Sequence, residues 1–358
     1  MWRTLLLVGL AGCEGLSLPD GTDILPAGQW EVSSYPCVGS RTDAMLFEES
    51  EGGLSGFVGC GSVQEGQGLF HTGNGGLTWT EVQGFEEVRV SSLSREANGT
   101  LLVAGVGPGT RVWRYDGAAT PLYSPPDRPA FWQTFHVGTF RMDSTGRAIA
   151  ESLTGTSAVY WPDGMDAPLV NGDGWFGGGD DGDEQILDLE VHQDRFIGVG
   201  ARISQPHYFF REPASGMGDA LSMEVVTLSA RTGEMWDVAV DDDGALIAAG
   251  VDQVESAAIL YTADSIDQDD WDELDVRDVI GASADATRFY GACRDGNRIA
   301  AVGDYSRTTD ALLLMSTDGV TFQSVAMPSG AGTLTRCQFV GDTLVVTGAN
   351  GLVARLGL

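Results

Sequence analysis

The sequence predicts an all-β fold, a seven-bladed β-propeller of four-stranded antiparallel blades whose ring is closed by an N-terminal strand, on three observations. Short apolar runs end in a small residue at Gly59, Gly105, Ser152, Gly200, Gly250, Gly303 and Gly348, spaced by 46, 47, 48, 50, 53 and 45 residues. Each run sits in a unit of constant grammar: an alternating strand, a turn, the apolar strand, then two more short strands. The last unit stops one strand short, at Leu358. Four short strands in about 45 residues, repeated seven times, is the pattern of blades set around a central axis.

The elements follow in chain order. "MWRTLLLVGLAGC" carries one arginine, a short apolar run and Leu10-Ala11-Gly12-Cys13. It is too short to span a bilayer as a mature helix and reads as an export signal. Its end resembles the bacterial lipobox, which implies cleavage before Cys13 and a lipid on that thiol. An ordinary signal peptide with an incidental cysteine is the alternative. Residues 1–12 are then the signal, 13–27 a lipid-anchored flexible tether and 28–358 a single propeller domain. "GQWEVSS", around Trp30, resembles the last strands "TWTEV" and "WDELD" and is the strand expected to complete the seventh blade. That pairing would remove two open sheet edges. Within the units, first strands such as "EMWDVAV" and "TRFYGAC" lead through Asp-, Gly- or Asn-rich turns into the apolar runs, as strands separated by turn residues do. No amphipathic helix is expected after the signal.

Composition fits such a chain. Of 358 residues 50 are glycine, about twice the usual share, scattered as many tight turns require. The 51 acidic residues outweigh 20 basic ones, every one of them arginine, for a net charge of −31. That field repels nucleic acid and anionic headgroups, so neither is an expected partner. Beyond Cys13 there remain Cys37, Cys60, Cys293 and Cys337. An even number in an exported chain suggests two disulfides with three pairings open. Cys37–Cys60 and Cys293–Cys337 are preferred, because each falls within one unit or between neighbours.

Two turns carry a repeated phrase. Thr72-x-Asn74-x-Gly76-x-Thr78-Trp79 resembles the Asp-box, Ser-x-Asp-x-Gly-x-Thr-Trp. Ser316-x-Asp318-Gly319-x-Thr321-Phe322 is the same with one residue fewer, and looser echoes lie at 261–271 and 160–166. The Asp-box occurs in bacterial sialidases, sortilin-type receptors and photosystem II assembly-factor propellers. The resemblance implies a propeller and a structural role for the box, with the acid bonding the turn's backbone and the aromatic packing between blades.

Chemistry is sparse. Gly-x-Ser-x-Gly, His-Glu-x-x-His and Cys-x-x-Cys are all absent. First strands carry Arg89, Arg141, Arg288 and Arg336, with Tyr290 nearby. A sialidase-like glycoside hydrolase needs arginines converging on the axis beside a tyrosine, so this is the alternative function. The same arginines could simply pair with carboxylates. The segment "NGDGWFGGGDDGDE" places Asp173, Asp180, Asp181, Asp183 and Glu184 close together among glycines, a candidate calcium site or a solvated acidic loop. No other cofactor is expected. The connections expected on one face are mostly long, and Trp132, Trp175, Tyr305 and Arg307 on them are candidate partner anchors, with packing on the blade beneath as the alternative. The functional expectation is a non-catalytic binding or assembly scaffold. It would be a monomeric propeller lipid-anchored in the bacterial envelope, periplasmic or outer-surface, holding an envelope protein or glycan.

Overall fold

The computed structural model describes residues 29–33, 36–50, 53–61, 66–107, 109–123, 137–152, 158–165, 169–171, 184–202, 206–216, 223–281 and 286–358. These residues form seven antiparallel blades. Blade one comprises Arg41–Ser50, Gly53–Gly61, Gly66–Thr72 and Thr80–Glu81, and blade two Arg89–Arg95, Leu101–Val106, Val112–Tyr115 and Ala119–Tyr123. Blade three runs Val137–Met142, Ala148–Ser152, Ala158–Trp161 and Leu169–Asn171. Blades four and five share one strand of 17 residues, Glu224–Val240, the outer strand of one and the inner strand of the next. Blade six begins at Thr287–Asp295, and blade seven holds Leu334–Val340, Thr343–Gly348 and Val353–Gly357. The first strand of each blade lies innermost and packs beside its two neighbours around the axis.

The ring closes as expected. Glu31–Val32 pairs antiparallel with Arg355 and Ala354, and the Trp30 Nε1 donates to the Ala326 carbonyl at 2.8 Å. A single-turn helix, Arg277–Ile280, was not expected from the sequence; its four residues are too few to show a helical period.

The unbroken apolar character of the second strands has a packing cause. Among the described residues the core is divided into seven clusters, one at each seam between blades. A second strand faces two seams at once. In blade five, Leu246 and Ala248 pack towards blade four, whereas Ile247 and Ala249 pack towards blade six. With both faces buried the strand cannot alternate polar and apolar, as it would with one face in water.

The small residue ending each run also has a cause. A Cβ on Gly105, Gly250, Gly303 or Gly348 would collide with the backbone carbonyl of Arg89, Glu234, Arg288 or Thr333, on or immediately before the inner strand. The ladder corrects the first unit by one residue. Cys60, not Gly59, stands opposite Thr42 at this position, and there it is bonded to Cys37.

Both disulfides follow the preferred pairing. Cys37–Cys60 ties the segment between the closing strand and blade one to that blade's second strand, with Cα atoms 5.4 Å apart. Cys293–Cys337 joins the inner strands of blades six and seven, Cα to Cα 5.7 Å.

The two repeated turns link third and fourth strands. Thr72 Oγ1 accepts from Gly76 N at 2.8 Å and Asn74 Oδ1 accepts from Thr78 N at 3.0 Å, with Gly76 at φ 90°. In the shorter turn Asp318 Oδ1 accepts from Val320 N at 2.9 Å and Thr321 N at 2.6 Å. These bonds hold the Asp318 carboxyl well below the usual carboxylate range. Trp79 packs into the seam of blades one and seven, and Phe322 into that of blades five and six.

Candidate functional site

Every inner strand contains one residue more than its ladder partner at the same height. The register shifts within Thr42–Ala44, Val90–Ser92, Val137–Phe140, Ile186–Asp188, Met235–Asp237, Phe289–Gly291 and Leu334–Arg336. The residues in line at these bulges are Asp43, Ser91, Gly138, Leu187, Trp236, Tyr290 and Thr335. A bulge bends its strand and turns a side chain out of the alternating pattern. Here all seven turn towards the axis, and together they line one cavity of about 330 Å³. Arg41, Arg89, Thr139, Glu151 and Arg336 complete the lining. The cavity is a cup near the start of the inner strands, on the face where fourth-to-first and second-to-third connections emerge. Below it a wider cavity of about 790 Å³ continues along the inner strands to the opposite face.

Polar side chains of the inner strands bridge every seam. Between blades one and two Arg89 Nε donates to Asp43 Oδ2 at 2.9 Å, and Arg41 is ion-paired to the same carboxylate. Between two and three Ser91 Oγ donates to the Val137 carbonyl at 2.6 Å. Thr139 Oγ1 donates to Asp188 Oδ1 at 3.1 Å, and Asp188 Oδ2 accepts from Val238 N at 3.2 Å. Asp237 Oδ2 accepts from Ala292 N at 2.7 Å, Arg336 Nη1 donates to the Tyr290 carbonyl at 2.9 Å, and Thr335 Oγ1 donates to the Thr42 carbonyl at 2.8 Å. Lower in the channel Arg141 binds Glu190 through both Nε and Nη2, at 3.0 and 2.6 Å.

Two acids along the channel are pushed up from the usual carboxylate range. Asp237 is buried beside Asp188, and burial pushes its carboxyl well up even though Arg336, 3.6 Å away, opposes the shift. Glu151 is 3% exposed and is also pushed well up, first by burial and then by the field of Asp188. It lies on a second strand, at the level where the other blades have Gly59, Ala104, Val199, Ala249, Val302 and Thr347. The bulge residue beside it is Gly138, where a Cβ would collide with Glu151 Oε1. The missing side chain at 138 is the space through which Glu151 reaches the cup.

Trp236 and Tyr290, the bulge residues of blades five and six, lie parallel, with ring centroids 4.7 Å apart and planes inclined by 14°. Trp236 Nε1 donates to Glu234 Oε2 at 2.8 Å. Both rings remain partly exposed.

The residues singled out from sequence separate into three groups. Arg89, Arg336 and Tyr290 do meet in the cup, joined by Arg41, which sequence reading passed over. Arg141 sits deeper, and Arg288 is exposed and lines neither cavity. Tyr305 is half-buried against the cluster between blades five and six, and Arg307 is exposed in the turn that follows. Cys13, Trp132, Trp175, Asp173, Asp180, Asp181 and Asp183 lie outside the described residues, and Glu184 opens the inner strand of blade four. Among the described residues no group of three or more His, Cys, Asp or Glu side chains is arranged to hold a metal ion, and no helix is long and apolar enough to cross a membrane. Trp236, Gly138 and Glu151 escaped sequence reading. The one signal for Glu151 was a carboxylate inside an otherwise apolar run, "AIAES".

Fold and channel define a seven-bladed propeller with a polar axial cup. No protein-family model and no curated protein matches the chain. Solved propellers do resemble it. YCF48 bound to D1 peptide is 15% identical, with a TM-score of 0.62 over 94% of this chain and 100% of that one. Virginiamycin B lyase from Staphylococcus aureus is 10% identical, with a TM-score of 0.65 over 92% and 99%. The Cps50 (Swd1) propeller domain of Myceliophteria thermophila is 12% identical, with a TM-score of 0.62 over 92% and 99%. At such identities the likeness is one of fold, and it includes both a lyase and a peptide-bound propeller.

Proposed function

We propose that this protein is a non-catalytic binding propeller that receives its ligand in the axial cup. The observation that carries this reading is the convergence of all seven bulge residues, a parallel aromatic pair among them, on one cavity at the long-connection face. Partly exposed aromatic rings in a concave polar site are common binding elements. The peptide bound to YCF48 shows that a propeller of this fold can hold a protein segment. Anchoring through Cys13 would place the cup in the cell envelope, where an envelope component is the partner. Changing Cys13 to serine should release the chain from the membrane fraction.

A second reading, glycoside hydrolysis, draws on Arg41, Arg89, Arg336 and Tyr290 in one cup with Glu151. The ion pairs weigh against it. Arg41 and Arg89 share Asp43, and Arg336 bridges Tyr290 and Asp237, so the guanidinium groups already hold the seams. The deciding experiment is affinity capture from solubilised native envelope with the wild type and Trp236→Ala in parallel. A partner retained by the wild type and lost by the variant supports the binding reading. Turnover of model glycosides that disappears in Tyr290→Phe overturns it.

A further inference from the structure

We propose that the axial cup binds a saccharide ring, seated against the Trp236–Tyr290 pair with its hydroxyls directed at Glu151 and the neighbouring polar groups. This rests on the reading of the cup as the ligand site and names the class of ligand.

Three observations point to that class. The first is the aromatic pair. The two rings are stacked on one another and both remain partly exposed where they line the cup, so the pair presents aromatic surface at one side of a cavity lined elsewhere mainly by polar residues. A sugar ring has C–H faces that pack on aromatic surface and a rim of hydroxyls that needs polar partners, so it matches both kinds of lining. The second is Glu151. Its carboxyl enters the cup only because residue 138 is glycine, and it stands where the other six blades have uncharged residues no larger than valine. Burying it is costly unless it is neutral or hydrogen-bonded. Burial favours its protonated form, and that form offers both a donor and an acceptor, which is what a hydroxyl requires. Thr139, on the inner strand of the same blade, hydrogen-bonds it through backbone and side chain, so unlike Asp188 and Asp237 it bonds within its own blade. The third is what the cup lacks. Leu187 is its one aliphatic bulge residue among the described residues, so apart from the aromatic pair an apolar peptide side chain would meet mainly polar groups.

The test is a glycan array with the purified full-length chain, followed by calorimetric titration with tetrasaccharides of β-linked N-acetylglucosamine, β-linked glucose and α-linked glucose. The expected result is binding of at least one array or titration probe in the micromolar to millimolar range. Trp236→Ala should weaken it about tenfold, by loss of an aromatic contact. Glu151→Gln, which keeps the shape, should weaken it about fivefold, and Asp116→Ala, in the exposed turn between the outer strands of blade two, should leave it unchanged. Absence of binding to any array or titration probe overturns the proposal, as does binding indifferent to both cup variants. If no saccharide binds yet an envelope protein is captured by the wild type and lost from Trp236→Ala, the binding propeller stands and the saccharide is rejected. If both fail, both readings fall.

Discussion

Glu151 shows how one residue can carry information that its neighbours conceal. In "AIAES" it looks like the polar end of an ordinary strand, because nothing in the sequence reveals that Gly138 stands beside it. Its raised carboxyl has a consequence for stability. Above about pH 4.3 the unfolded chain ionises this group while the folded chain keeps its proton. The folded state then binds more protons, so stability falls as pH rises from that point. Glu151→Gln removes the titration. Its melting temperature should exceed that of the wild type at neutral pH, and the difference should vanish near pH 3–4. Equal melting curves across that range would show that the carboxyl ionises freely in the folded chain. Asp318 has the opposite sign. Its depressed carboxyl contributes stability above the unfolded value, and that contribution is lost as acid protonates it. Asn74 accepts the corresponding bond in the other turn without a charge. Asp318→Asn should therefore hold the turn while flattening the acid limb of the stability curve, whereas Asp318→Ala should lower the melting temperature at every pH.

At the scale of elements, strand count and order were legible because the second strands bury both faces and so repeat as unbroken apolar runs. The cup was not legible, because it is made by bulges. A bulge leaves a trace, however: it breaks the alternation of an inner strand, so buried residues fall three apart instead of two. Val90 and Leu93, Val137 and Phe140, Ile186 and Leu189, Met235 and Val238, and Phe289 and Ala292 all show this spacing and are buried. Any one of these pairs would pass for noise, and only the register of the strands gives them meaning. The long strand shared by blades four and five was hidden for a related reason, since no turn residue there is forced to end it. The bulge also fixes the glycine opposite. Gly303→Ala puts a methyl group into the carbonyl of Arg288, and overpacking of this kind costs about 1–3 kcal/mol. A urea titration should show the midpoint falling with an unchanged slope. An unmoved midpoint would mean that the two strands can part without cost.

For the whole molecule, closure is the weak point of a ring, since the seam between first and last blades joins residues most distant in sequence. Two devices were foreseen from sequence, the strand around Trp30 and the two cysteine pairs. Their placement relative to each other was not, because only the folded ring shows that both disulfides flank blade seven. Cys293–Cys337 fastens it to blade six. Cys37–Cys60 fastens blade one to the segment that has just left the closing strand, and Gly351 of blade seven packs on the Cys37 backbone. Strand and disulfide therefore hold the same seam from its two sides. Replacing Cys37 and Cys60 by serine should cost about 2–4 kcal/mol, the usual effect of removing a cross-link. Removing residues 1–33 should lower stability separately, by exposing the edge of Val353–Gly357 and deleting the Trp30–Ala326 bond. That open edge should also promote self-association. The two changes are expected to couple. Without the strand, the segment at Cys37 keeps its contact with Gly351 but loses the strand pairing beside it, so the disulfide should be worth less. A double-mutant cycle by urea denaturation measures this directly, and a combined loss smaller than the sum by about 0.5 kcal/mol or more is the expected result. Strict additivity would show that strand and disulfide stabilise the ring independently, and that the seam is not one cooperative unit.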